Sequence, residues 1–491
     1  MFEKVKESIA SKMRSFLKIY TANGQSFNIN ELLDFDSNVA VNKIWYRGDS
    51  YELSQLYRQL DDNQYGFWGS VPTAGIEIRK IHTGLPKIMV NLLSSVVADD
   101  MQDVQFTSEA DNTLWHDIAE ENTFDTLVKS AISKTLYTGD GAFKISIDTD
   151  ISQLPIIEFF EADRIKVKRK RGRVVEIIFK TAYSKDANTY ILYEHYGKGY
   201  IKYELKNAYD KAVELDTIPQ TAGLTDVTWD GDFILAEYVH FYASDKFEGR
   251  GQSIFDAKRD NFDALDEAWS QWIDALRAGR TKVYIPENLI PRNPNTGELA
   301  KPNAFDNRFI KLAPSTAETD NGKIDTESAP IQHESYLSTY ITALDLCLQG
   351  VISPSTLGID VKKLDNAEAQ REKEKATLYT RQTIVAELQR VLPNLIQGIF
   401  YAYQTLNKLP LEEVECDVTF GEYANPSFES QVETVGKAKT QGIMSIDACI
   451  DELYGDSRDD EWKKEEVARL KAEQGIVDVE EPAVNMDMGV Q

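Results

Sequence analysis

Residues 247–290 read FEGRGQSIFDAKRDNFDALDEAWSQWIDALRAGRTKVYIPENLI. From Phe262 the large apolar residues fall at Phe262, Leu265, Trp269, Trp272 and Leu276, a 3,4,3,4 spacing that lays one stripe along a helix. Asp260 just before them and Asp263, Asp266, Glu267 and Asp274 between them are assigned to an opposite, acidic face. Arg277, Gly279 and Arg280 close the helix with basic residues and a glycine suited to a C-terminus. Short strands are expected at Lys282 to Pro286 and Arg308 to Leu312, around a Pro-, Asn- and Gly-rich excursion. A second apolar helix, Ser335 to Val351, follows. Helix, small β-rich lobe, helix back is a helical hairpin with a head.

Working outward, the chain of 491 residues is long enough for several domains with their own cores. Apolar residues at 42% and aromatics at 10% suit a folded protein rather than a disordered one. Acidic residues outnumber basic ones 80 to 54, a net charge of -26. That balance argues against an ordinary DNA-binding protein, because affinity for nucleic acid is dominated by Lys and Arg at the phosphates. A passage that must let DNA slide without sticking is the exception. Cys347, Cys416 and Cys449 form no CxxC pair and read as free thiols of a reducing compartment. There is no run of 18 apolar residues, so no transmembrane helix is expected. The start of the chain, MFEKVKESIASKMRSFLKIY, has Phe2, Val5, Ile9, Met13 and Phe16 at helical spacing. It reads as a helix docked on protein rather than a signal peptide or a membrane anchor.

Two short helices are expected between residues 28 and 62, the second capped by Asp49. A buried helix, Leu85 to Val97, and a helical pattern from Thr113 to Leu136 follow, ending at Thr138, Gly139, Asp140 and Gly141. From there to about Ser244 the period becomes two, starting with Phe143, Ile145 and Ile147. Further strands at Ile156 to Phe160, Ile165 to Lys170, Val174 to Lys180, Tyr190 to His195, Tyr200 to Leu205 and Ile234 to Tyr242 make one mostly antiparallel sheet, an α+β arrangement. A basic run, Arg164, Lys166, Lys168, Arg169, Lys170, Arg171 and Arg173, interrupts it. It reads either as a solvated hairpin turning at Arg171 and Gly172 or as a patch for DNA or an acidic partner. After a loop from Ser353 to Asn366, a long helix from Glu368 to Gln404 contains Pro393, where a kink is expected. Val414, Cys416, Val418 and Phe420 alternate as a strand returning to the sheet. Helices at Glu429 to Thr440, after Ser445, and at Asp459 to Glu473 precede an acidic tail, 475–491, read as disordered.

No catalytic constellation is legible. The chain lacks GxxxxGK[ST], GxSxG and HExxH motifs, and His82, His116, His195, His240 and His333 have no metal-ligand spacing. No cofactor or metal site is expected.

Three blocks carry a family resemblance: EGRGQSIFDAKRDNFDALDEAWSQWIDALRAGR, GVISPSTLGIDVKKLDNAEAQREKEKAT, and FGEYANPSFESQVETVGKAKTQGIMS with DDEWKKEE. Weaker echoes are NKIWYRGD and TLYTGDGAFKISID. Together they resemble the portal proteins of tailed bacteriophages, of the siphophage type found on Gram-positive hosts, over most of residues 235 to 470. The resemblance implies a portal fold: a wing (1–246), a first stem helix (247–280), a clip (281–330), a second stem helix (331–351), a channel loop with the long helix and a returning strand (352–427), and a helical crown (428–474). It implies a homo-oligomeric ring of about twelve subunits at one capsid vertex of the virion, assembled in the host cytoplasm. Double-stranded DNA would pass through the ring during packaging and ejection. The large terminase, head-completion or adaptor proteins, and the major capsid and scaffolding proteins would be its partners. On this reading Asp260, Asp263, Asp266, Glu267 and Asp274 line the channel, or mate with basic residues of a neighbour. Phe262, Leu265, Trp269, Trp272 and Leu276 pack between subunits, Lys362 and Lys363 in the channel loop touch DNA, and Lys166, Lys168, Arg169, Lys170 and Arg171 form a possible basic patch. The alternatives from other classes are an acidic metal-dependent nuclease and a scaffold or adaptor that forms no ring.

Overall fold

Helix starts and stops follow local capping chemistry. β1 (Ile19–Thr21) and β2 (Gln25–Phe27) pair antiparallel. The Asp34 carboxylate accepts the amide of Ser37 at 2.8 Å to open α1 (Phe35–Arg47), which stops at left-handed Gly48. Asp49 then accepts the amides of Tyr51 and Glu52 to open α2 (Ser50–Gln59), the expected cap. The computed structural model describes residues 19–21, 25–27, 33–60, 66–71, 78–279, 282–286, 292, 294–298, 309–312, 325–327, 332–358, 367–421, 428–454 and 460–473. The expected N-terminal helix, Lys362, Lys363 and the acidic tail lie outside the described residues.

The fold is α+β, in two compact units, Met1–Lys363 with Glu372–Gly421 and Leu364–Arg371 with Glu422–Gln491. In the first unit α3 (Leu85–Ala98) buries Met89, Val90, Leu93 and Val97 but leaves Ile88 half exposed, so the helix is amphipathic rather than covered all round. Next come β3 (Gln105–Phe106), α4 (Glu109–Glu121) and α5 (Phe124–Thr138). The pattern expected as one helix is broken at Thr123, which sits at φ 46°. Asn122 holds the break: its amide donates to Ile118 O and Pro155 O, and its carbonyl accepts Ile157 N at 2.8 Å.

The β region forms two antiparallel sheets, where the sequence suggested one. β4 (Asp140–Ser146) and β5 (Ile156–Glu161) form a three-stranded sheet with β12 (Ala236–His240), in the order β12-β4-β5. β6 (Ile165–Lys170), β7 (Arg173–Lys185), β8 (Asn188–Gly197), β9 (Tyr200–Asn207), β10 (Ala212–Val213) and β11 (Val227–Thr228) form the larger sheet. β4 is covered on both faces. Phe143 and Ile145 enter one side of the core, while the opposite face buries Lys144 against Glu194 of β8 at 2.9 Å. That burial suppresses the expected alternation, and Ile147 falls beyond the strand end. Edge contacts Phe160 to Phe179 and Phe179 to Tyr196, at 4.9 and 5.1 Å, tie the two sheets through one core.

α6 (Arg259–Ala278) leads to a three-stranded sheet of β13 (Lys282–Pro286), β14 (Phe309–Leu312) and β15 (Asp325–Glu327), with β13 parallel to β14 and antiparallel to β15. α7 (His333–Leu348) returns, ending three residues short of Val351. α8 (Ala367–Leu406) runs as one helix through Pro393 and buries Ile384, Leu388, Val391, Leu395 and Ile399. The strand expected to rejoin the large sheet, β16 (Cys416–Asp417), instead pairs with β3. Arg381 fixes it there, its Nε donating to Asp100 at 2.8 Å and its Nη2 to Gly421 O. In the second unit α9 (Phe428–Thr440), α10 (Ile446–Tyr454) and α11 (Asp460–Glu473) share a small core of Ile446, Ile450 and Val467, and Ser445 caps α10 through the amide of Ala448.

Asn122→Ala removes the side chain that satisfies three backbone groups at the break between α4 and α5. A loss of about 1–3 kcal/mol in urea unfolding is expected.

Candidate functional site: the helix pair and its root

α6 and α7 pack antiparallel. At the base, Lys258 Nζ donates to the carbonyls of Leu346 and Gln349, and Asn261 donates to Leu346 O. Further along α6, Trp269 and Trp272 sit edge to face at 5.8 Å and close on Tyr340 of α7 at 5.5 and 6.2 Å.

The expected stripe therefore divides. Phe262 and Leu265 are buried in the unit's own core, Phe262 between Trp45 and Phe255, so they do not pack between subunits. Trp269 and Trp272 are half-buried against α7, and Leu276 is 44% exposed.

The acidic face divides too. Asp263 and Asp266 are 9% and 0% exposed, so neither can line a channel. Asp263 accepts the amides of Phe67 and Trp68 at 2.7 and 3.0 Å. Asp266 accepts from Trp68 Nε1, His82 Nδ1, and both the amide and hydroxyl of Thr83. One turn on, Ser270 Oγ accepts the amide of Ile81 at 2.9 Å. Segments 67–68 and 81–83 are thus bonded along one flank of α6. Lys80 closes the segment by donating to the carbonyls of Phe67, Trp68 and Ser70. Burial pushes the Asp263 carboxyl up, against the pull of the two amides, with Asp266 and Glu267 adding to the rise. The division follows angle only in part. At about 100° per residue Asp266 sits on the flank of the stripe and Glu267 and Asp274 lie opposite it, but Asp263 is turned about as far from the stripe as Asp260 and is buried because the 67–68 segment covers it. Asp260 is exposed and Glu267 and Asp274 are half-exposed.

Below the first turn of α6 the residues expected as helix, 247–258, form a latch instead. Asp140, fully buried at the start of β4, accepts from Arg250 Nε and Nη2, from Tyr238 OH and from the amide of Gly251, all at 2.8 Å. Arg250 also donates to Ala162 O and stacks 3.7 Å from the Phe35 ring centroid. Gly139 and Gly251 meet backbone to backbone: a Cβ on Gly251 would stand 2.2 Å from the Gly139 carbonyl oxygen. Asp256 accepts from the amides of Asn38 and Asn42 and from Arg259, tying α1 to the start of α6. The TGDG and GRGQS motifs are two halves of one joint. Sequence reading located both but assigned neither a role.

The basic run is a β6–β7 hairpin turning at Arg171 and Gly172, both at positive φ. Lys168 pairs with Glu176, Arg169 donates to Gly249 O and stacks on Tyr238, and Lys166, Lys170 and Arg171 are exposed. Cys347 is buried on α7 and Cys449 on α10, while Cys416 is half-buried. Burial pushes the Cys347 thiol up to about 12, with Asp266 contributing. Among the described residues no group of His, Cys, Asp and Glu is placed to hold a metal ion, and no helix is long and apolar enough to cross a membrane.

No family model matches the chain, and no curated protein matches it. Two solved structures similar in chain trace are the neck of a native GTA (gene transfer agent) particle computed with C12 symmetry and the neck of an empty GTA particle computed with C6 symmetry. The first gives a TM-score of 0.39 at 13% identity, covering 80% of this chain and 91% of that one. The second gives 0.36 at 12%, covering 80% and 90%. Likeness at this level carries no inference about activity.

Asp266→Ala orphans four donor groups, buried or half-buried, and a loss of roughly 3–5 kcal/mol in denaturant unfolding is expected. Asp260→Ala on the opposite face should change stability by less than about 0.5 kcal/mol; equal effects would contradict the division of the acidic residues. At pH 8 Cys347 should alkylate far more slowly in the folded protein than in denaturant, measured by mass spectrometry.

Proposed function

We propose that this chain is a portal-type ring subunit, forming a DNA channel at one vertex of a tailed-phage capsid. The observation that carries the reading is the helix pair: α6 and α7 pack antiparallel, bracket the small β13–β15 sheet, and are anchored by a buried ion pair at their root. Its agreement in chain order with the stem and clip implied by the sequence blocks supports the assignment. On this reading Asp260, Glu267 and Asp274 face the channel or a neighbouring subunit, and Leu276 with the outer edges of Trp269 and Trp272 packs between subunits. Lys362 and Lys363 touch passing DNA. The large terminase and head-completion proteins dock on the β13–β15 lobe. The role is mechanical and electrostatic: a net charge of -26 disfavours adhesion of DNA while a few lysines contact it.

Light scattering followed by negative-stain imaging tests this. Rings of about twelve subunits with an axial hole are expected. A monomer or dimer that cleaves DNA with added divalent metal would support the nuclease instead, and an open, holeless assembly would support the adaptor. Lys362→Glu with Lys363→Glu should lower retention of packaged DNA, read by nuclease protection of filled particles.

A further inference from the structure

A cavity of about 560 Å³ lies in the first unit, between the basic hairpin, β12 and one face of α8. Its charged lining is unusual for so acidic a chain. Arg169, Arg173, Lys198 and Arg390 line it, against Asp232 and Glu237. Lys198 is matched to Asp232 at 2.7 Å, and Arg390 is shared between Glu387 at 2.7 Å and Glu237 at 3.4 Å. Arg169 and Arg173 have no carboxylate partner among the described residues. Arg169 donates only to the carbonyls of Gly249 and Gly172. The imidazole of His240 lines the same space, and its Nδ1 is buried without a hydrogen-bond partner, 3.6 Å from Glu387. The remaining wall is mostly apolar and aromatic, including Val174, Ile177, Phe233, Ile234 and Tyr401, with the side-chain amides of Asn394 and Gln397.

We propose that this cavity binds a small organic anion, an oxyanion carried on an apolar or aromatic body, with the oxyanion between Arg169, Arg173 and Arg390 and the body against Phe233 and Tyr401. Three guanidiniums are the donor set suited to a planar or tetrahedral oxyanion. The volume exceeds that of a bare oxyanion and falls in the range of small-molecule sites. The site is independent of the ring assignment, since every lining residue belongs to one chain.

Glu237 makes the binding depend on pH. Burial pushes its carboxyl up to about 7, opposed by Arg390 and Asn394 and reinforced by Glu387. The other charged or titratable groups lining the space are Arg169 from β6, Arg173 from β7, Tyr238 and His240 from β12, Tyr401 from α8, and Lys198 with Asp232 from the loops. His240 is held below its ordinary value, chiefly by burial. Between pH 6.5 and 8.5 Glu237 therefore passes from mostly neutral to charged. A neutral Glu237 frees only Arg390 Nη1 for the ligand, because Nε and Nη2 stay paired with Glu387, and it removes one negative charge from the wall; a charged Glu237 competes for Nη1 and repels the anion. The anion binds more tightly on the acid side.

Phenyl sulfate is the probe, because it carries one negative charge throughout this range. Calorimetric titration of the full-length protein at constant ionic strength should give saturable binding, roughly tenfold tighter at pH 6.5 than at 8.5. Inorganic sulfate should bind at least about tenfold more weakly than phenyl sulfate. Arg390→Gln and the exposed Arg173→Gln should each weaken binding with circular dichroism unchanged. Glu237→Gln should remove the pH dependence and keep the tight form at pH 8.5. Absence of saturable binding to folded protein, equal affinity for the two sulfates, or indifference to both arginine substitutions overturns the site.

Discussion

The carboxylate of Asp140 is the point on which the first unit turns. A charge with no solvent contact is tolerated only where donors replace its water, and here four bonds converge: two from Arg250, one from Tyr238 and one from the Gly251 amide, with Arg250 itself braced on Ala162 O. Because those donors come from β12 and from the segment preceding α6, one ion pair fixes the end of α5, the central strand of the small sheet and the base of the helix pair. Removing either partner leaves the other charged and buried, which is worse than having neither.

A second set of buried acids acts further along the same helix. Asp263 and Asp266 do not advertise negative charge; they consume it, converting carboxylates into acceptors for the segments at 67–68 and 82–83. The outward acidic surface of α6 is correspondingly smaller than its composition suggests. Net charge on a helix and the field it presents are different quantities once two of its carboxylates are enclosed and hydrogen-bonded.

Much of this was legible. The period-3.6 stripe in residues 262–276, the caps at Asp49 and Ser445, the hairpin turn at Arg171 and Gly172 and the strands from 140 to 240 all rest on local rules, and local rules suffice for them. What failed was non-local. Lys144 fits a polar outward position in an alternating strand, and only the second sheet above it makes that position interior. Asn122 breaks a helix because Ile157 and Pro155, far along the chain, offer it partners. The pairing of β16 with β3 depends on Arg381 reaching Asp100 from α8. The division of the acids on α6 could be drawn from angle only at Asp266, on the flank of the stripe; Asp263 is turned as far from it as Asp260, and only the non-local 67–68 segment encloses it.

The backbone contact of Gly139 with Gly251 has a consequence for how such a chain can drift. Most close packings in a core can be relieved by a second change, a large neighbour exchanged for a smaller one. Here each glycine meets the other's main chain, and there is no smaller residue to offer in exchange. The two positions are locked against compensated substitution, so TGDG and GRGQS can diverge around the glycines but not at them while the joint keeps this geometry.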